Sequence, residues 1–113
     1  MQCDVIGNRM PYSKALWEHA DLRVRIAVSR FVDRIERITV RLKDTNGHRG
    51  GVDKCCSIEV LQARGEPVVV EATDADAYVA IDLATTKLKR AITKASRLRW
   101  ERPRRSGDLA LGM

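Results

Sequence analysis

The stretch IERITVRLKD, residues 35–44, alternates polar and apolar side chains without a break from Arg37 to Lys43. A period of two puts Ile38, Val40 and Leu42 on one face of a strand and Arg37, Thr39, Arg41 and Lys43 on the other. A strand buried on both faces would read as a continuous apolar run, so this one belongs to a sheet covered on one side only. The covered side is apolar and the open side is basic.

Three other segments fit that sheet. MQCDVI reads as a first strand, with Cys3 and Val5 on one face and Gly7-Asn8 ending it. CCSIEVLQAR turns Cys56, Ile58 and Val60 inward, and PVVVEAT turns Val68, Val70 and Ala72 inward with Val69 and Glu71 outside. The short connection Gly65-Glu66-Pro67 makes these last two antiparallel neighbours. TNGHRGGVDK, with three glycines and an Asn-Gly pair, reads as a loop or wide hairpin end.

Two segments change period from two to 3.6. Leu16, Ala20, Val24, Val28 and Phe31 form one apolar stripe, with Ser13 as N-cap and an end expected around Phe31 or Asp33. Ala77, Ile81, Ala84, Leu88, Ile92 and Ala95 form the second. Thr73 and Asp76 satisfy a capping-box spacing, so this helix is expected to start near Asp74. The order is β-α-β-β-β-α, and the predicted fold is α+β, with two helices packed on one face of a four-stranded sheet. A domain over residues 1–98 is expected, followed by a basic tail over 99–113 that contains Pro103, lacks periodicity and is expected to be disordered.

The chain has 113 residues, enough for one modest core. Lys and Arg outnumber Asp and Glu by 21 to 15, which favours an anionic partner, although +6 also serves solubility. No apolar run approaches the roughly 18 residues of a membrane span, and the N-terminus lacks a signal-peptide core. The cysteines are Cys3, Cys55 and Cys56, an odd set that builds no disulfide framework. A reducing, cytoplasmic setting is expected.

The charge is not spread evenly. Lys87, Arg90, Lys94 and Arg97 fall within roughly 80° of one another on the helix wheel, well away from the apolar stripe. They make a ridge about 15 Å long at 1.5 Å per residue, long enough to touch several phosphates. Helix C-termini attract cations in any case, and solvent-facing positions are often charged. Yet residues 83–100 hold six basic residues and no acid, where a merely solubilising surface would mix signs. On the first helix Arg23 and Arg30 are two turns apart, and side-by-side helices would let them extend the ridge. Lys14, Arg34 and Lys89 are additional candidates, and Arg102, Arg104 and Arg105 add charge to the tail.

Residues for catalysis or metal binding are missing from the sequence. His19 and His48 have no ligand spacing, Cys55-Cys56 is not a CxxC unit, and HRGGVDK lacks the spacing of a phosphate-cradling loop. No enzyme activity, cofactor or metal is therefore expected. The strands carry no aromatic residue, which disfavours base stacking on the sheet. Trp17 and Tyr78 read as packing residues on helices.

These segments resemble one family. MQCDVIGNRM, the SKALWEH helix, FVDRIERITVRLKD, RGGVDKCCSIEV and EATDADAYVAIDLATTKLKRAITK follow in the order of the ribosome hibernation-promoting factors. This family is also described as ribosome-associated inhibitor or sigma-54 modulation proteins. The most specific part is Tyr78, Ala80, Ile81 and Asp82 followed by Lys87, Leu88 and Arg90, and the resemblance covers roughly residues 1–98. It implies two parallel helices on a four-stranded sheet and binding to the 30S ribosomal subunit between head and body. There such a protein covers the decoding region, blocks mRNA and tRNA, and silences idle ribosomes under stress. By motif position, contacts to 16S rRNA fall on Lys87, Arg90 and Lys94. Arg23 and Arg30 join them across a stretch one residue longer than the family's usual spacing. The chain resembles the short form, for which no second, dimerising domain is expected. A rival reading is a small regulatory protein that meets a protein partner through the open sheet face, without RNA.

Overall fold

The computed structural model describes residues 1–45 and 53–106, with side chains to residue 95. The glycine-rich connection over 46–52, with its His48 and Arg49, lies outside the described residues, as do residues 107–113. The elements are β1 (Gln2–Asn8), α1 (Lys14–Ala27), a 3-10 helix (Ser29–Arg34), β2 (Ile35–Asp44), β3 (Lys54–Gln62), β4 (Val68–Asp74) and α2 (Ala77–Ser106). The strands lie in chain order, with β1 parallel to β2 and the other two pairs antiparallel. β1 and β4 therefore point the same way. Each is followed by a helix that returns over the sheet, so α1 and α2 run parallel.

Strand alternation becomes three rows across the inner face. Cys3, Ile38, Val60 and Val68 are register partners, as are Val5, Val40, Ile58 and Val70, and Gly7, Leu42, Cys56 and Ala72. Leu16, Ala20, Val24 and Val28 of the first helical segment and Ala80, Ile81, Ala84, Leu88 and Ile92 of α2 close over these rows. Core side chains meet on one side of the sheet only, as the alternation requires. A bulge between Ile35 and Arg37 breaks that alternation at its start and lets Ile35 join the core out of phase.

Gly7 sits in the third row for a steric reason. A Cβ there would lie 2.8 Å from the Trp17 ring and 2.7 Å from the Met10 carbonyl oxygen. The indole covers the end of β1 and donates from Nε1 to the Val5 carbonyl at 3.0 Å. Trp17 thus packs as expected, with Tyr12 edge-on at 5.3 Å.

Three expectations are corrected. Ser13 caps α1, accepting from the Leu16 amide at 3.3 Å, but the α-helix ends at Ala27 rather than around Phe31 or Asp33. The chain tightens into the 3-10 helix, where Phe31 N–H donates to the Val28 carbonyl at 2.8 Å. Three residues per turn bring Phe31 directly above Val28, whereas an α-helix would rotate it away from the core by about 60°. Arg30 therefore lies on the 3-10 helix and not on α1.

The second correction is at the start of α2. Thr73 is in β4, paired with Cys55, and does not cap the helix. Asp76 does, accepting from the Tyr78 amide at 2.8 Å while its carbonyl takes the Ala80 amide at 3.0 Å. Asp74 accepts from the Asp76 amide at 2.9 Å. Both acids precede the helix, which begins at Ala77 and not near Asp74. Strand pairing that persists to Asp74, opposite Lys54, takes Thr73 out of reach of the cap position.

The third concerns the far end. Residues 99–106, read as the start of a polar tail, are helical backbone continuous with α2. Once nucleated, a helix can continue without an apolar stripe, adding one backbone hydrogen bond for each residue except Pro103, which has no N–H to donate. Its 30 residues span about 45 Å, the largest part of the molecule's 58 Å long axis.

Candidate nucleic-acid interface

The apolar stripe of α2 fixes which of its residues face outward. Burial of Ala84, Leu88 and Ile92 against β3 and β4 leaves Lys87, Lys89, Arg90 and Lys94 exposed. Lys89, Arg90 and Lys94 form no ion pair with any described residue. Lys87 is different, because its ammonium donates to the Glu71 carbonyl at 2.9 Å. It leans over β4, the outer strand of the sheet, and occupies one of that edge's carbonyls. Arg97 lies on α2, with its side chain outside the described residues.

Sequence reasoning did not find the seam between the helices. His19 Nε2 and Asp82 Oδ1 are 2.8 Å apart, joining α1 to α2. The buried Nε of Arg23 lies 3.2 Å from the same oxygen, close enough for an ion pair but without the alignment of a hydrogen bond. The Tyr78 ring stands edge-on to His19 at 5.0 Å. Arg23 is thus brought beside α2, as side-by-side helices require, but it arrives paired with an acid. Leu22 and Ile26 are exposed on the outer face of α1, so the cationic surface is not continuous across both helices. His19 and Arg23 share a helix face at i,i+4, yet only the helix pairing shows that they meet Asp82.

The remaining candidates are dispersed. Lys14 is exposed at the first turn of α1, and Arg30 is exposed beyond the end of that helix. Arg34 is half-buried where the 3-10 helix enters β2, and its carbonyl takes the Ala63 amide at 2.8 Å.

The thiols are held in their protonated form. Burial pushes Cys56 up to about 12, and burial followed by a hydrogen bond to Asp21 does the same for Cys3. Cys55 is raised by its own partial burial and then by Glu71, a neighbour that the strand pairing supplies. Among the described residues no three His, Cys, Asp or Glu side chains are grouped to hold a metal, and no helix is long and apolar enough to cross a membrane. At the hairpin end, Lys54 Nζ bridges the buried Asp53, at 3.0 Å, and Asp44, at 3.3 Å.

The open sheet face is mixed. Arg37, Arg41, Lys43 and Glu71 are exposed, Ser57 and Glu59 are half-buried, and Arg41 lies 3.8 Å from Glu59. Ile6, Leu61 and Val69 stand among them. On this face Arg41 has Glu59 beside it, whereas Lys89, Arg90 and Lys94 on the outer turns of α2 form no ion pair with any described residue.

Fold and surface together define a two-layer α+β domain with a one-signed cationic row on its outer helix. The chain belongs to the Sigma 54 modulation protein / S30EA ribosomal protein family, whose model matches residues 3–99. Among solved structures, it is similar to a ribosomal subunit interface protein from Coxiella burnetii, with TM-score 0.72 and 21% identity over 86% of this chain and 99% of that one. It is also similar to the Protein Y N-terminal domain from Thermus thermophilus, with TM-score 0.66 and 25% identity over 80% of this chain and 93% of that one. No curated protein matches.

Proposed function

We propose that this protein binds the ribosome, and specifically the 30S subunit, by laying the outer surface of α2 on the phosphates of 16S rRNA. The observation that carries this reading is the row of exposed cations at Lys87, Arg90 and Lys94 in a stretch with no acid from Leu83 to Trp100. A helix holds these side chains at fixed spacing, so several phosphates are met at once and counterions are released together. Lys89 and Arg23 flank the row, and Arg97, Arg30, Lys14 and Arg34 are assigned to its periphery. Family membership and the likeness to a ribosomal subunit interface protein support the ribosome as the RNA's source.

On this reading the bound protein occupies the decoding region between head and body. Its function is to exclude mRNA and tRNA, inhibiting translation in idle or stressed cells within the cytoplasm. Sedimentation with purified 30S subunits at about 100 mM salt tests it, since phosphate-dominated binding is strong at such ionic strength and falls steeply above it. Co-sedimentation that fades with added salt is expected. A folded protein that stays in the supernatant would refute ribosome binding and favour a protein partner on the open sheet face, where Ile6 and Val69 are exposed.

A further inference from the structure

We propose that His19 and Arg23, steered by Asp82, form a proton-dependent seat for a nucleic-acid phosphate at the seam between α1 and α2. The inference deepens the RNA-binding reading and rests on it for its main probe. Its starting point is one carboxylate oxygen with two claimants: His19 Nε2 at 2.8 Å and Arg23 Nε at 3.2 Å. Both claimants come from the same face of α1, and the acid comes from α2.

Charge at this seam has two settings. With a neutral imidazole, the guanidinium of Arg23 and the carboxylate of Asp82 cancel. With an imidazolium, one carboxylate faces two cations and the seam carries one net positive charge. The ion pair of Asp82 with Arg23 is then shared, and the guanidinium has donors to spare for an incoming anion. The side chains of Arg23 and Asp82 are 42% and 46% exposed, and that of His19 is 28% exposed, so a ligand can reach all three.

From α2, His19 is faced by Asp82 and by the Tyr78 ring, and from its own helix by Arg23. Leu16 and Ala20 of α1 and Ile81 and Ala84 of α2, which belong to the buried core, are apolar. Lys89 follows two turns after Asp82 on the same side of α2, about 10 Å further along. A nucleic-acid backbone lying on the seam therefore runs toward a second cation. An anion that prefers the positive setting must draw a proton onto the seam, so affinity rises as pH falls. Asp82 is the positioning residue. It holds the two donors together and keeps the helices from repelling when no ligand is present.

The test compares wild type with His19→Gln, which keeps a hydrogen-bond donor for Asp82 but cannot charge, and with His19→Lys, which is charged throughout. Affinity for purified 30S subunits is measured from pH 8 to pH 5.5 at constant ionic strength and repeated with poly(U). Circular dichroism checks that each variant is folded. Wild type is expected to gain about threefold more affinity over this range than His19→Gln, the scale of one exposed ion pair. His19→Lys is expected to follow the flat profile of His19→Gln, displaced toward tighter binding. If His19→Gln fails to fold, the profile of His19→Lys against wild type decides. Parallel pH profiles for wild type and the variants, with 30S binding intact, would overturn the seat and leave the ribosome reading standing. A proton-dependent difference on poly(U), with no binding to 30S at any pH, would overturn the ribosome reading and leave the seat. Binding to neither probe would overturn both.

Discussion

Asp53 is the most deeply buried charged group among the described residues, at 1% exposure, and Lys54 lies against it at 3.0 Å. Removing one member of such a pair leaves the buried partner's charge stranded. Lys54→Ala is therefore expected to lower the midpoint of chemical denaturation, and Asp53→Asn with Lys54 intact, which removes the buried charge itself, to lower it less. The cysteines give a second residue-scale expectation. A thiol whose folded pKa is raised binds its proton more tightly folded than unfolded, so its contribution is complete below the ordinary range and is lost above it. Cys3 and Cys56, both pushed up to about 12, should make stability fall as pH climbs from about 9. Lys54 acts in the same direction, since its raised pKa gives stability that is lost as pH rises past its ordinary value. Thermal midpoints between pH 8 and 11 would show the decline, and a flat profile would contradict the burial assigned to these thiols. At neutral pH all three thiols should resist alkylation until the protein is unfolded.

At the scale of elements, what the sequence could disclose depended on how local the signal was. The strands were legible because period-two alternation is written within each segment, and Ile38, Val40 and Leu42 need no knowledge of partners to declare a face. The end of α1 was not. Val28 and Phe31, three apart, satisfy both an α-helical and a 3-10 spacing, and only packing against the sheet selects the tighter winding. The start of α2 was ambiguous because Thr73, Asp74 and Asp76 are all competent caps, and the choice falls to how far β4 stays paired with β3. Asp76→Ala should accordingly cost about 1 kcal/mol, and Thr73→Ala should cost much less, in paired denaturation curves. Equal losses would reinstate Thr73 as the cap. Gly7 gives a harder test of the third row, because an alanine there drives into Trp17 and the Met10 carbonyl. Gly7→Ala is expected to destabilise by about 1–3 kcal/mol through overpacking. The seam of His19, Arg23 and Asp82 was beyond reach, since its members come from helices whose side-by-side register no local pattern encodes.

For the whole molecule, one face of the sheet is spent on the core, and the layer that covers it carries the cations. The ridge residues were legible because a helix wheel converts spacing into a face, and Lys87, Arg90 and Lys94 are indeed exposed. Their inequality was not legible: Lys87 already spends one of its three N–H donors on the Glu71 carbonyl of β4, while Arg90 and Lys94 form no ion pair with any described residue. The most direct test is the affinity of the Lys87→Ala, Arg90→Ala, Lys94→Ala triple variant for 30S subunits, measured at several salt concentrations beside wild type. Leu88→Ala, on the buried side of the same helix, serves as the contrast and should cost about 2–5 kcal/mol of stability. The triple variant should fold, since alanine suits these exposed helical positions. It should bind more weakly by orders of magnitude, with a salt dependence shallower by roughly one unit of slope for each phosphate it no longer neutralises. A folded triple variant with the affinity and salt slope of wild type would contradict the account and overturn the proposed RNA-binding role of the outer face of α2.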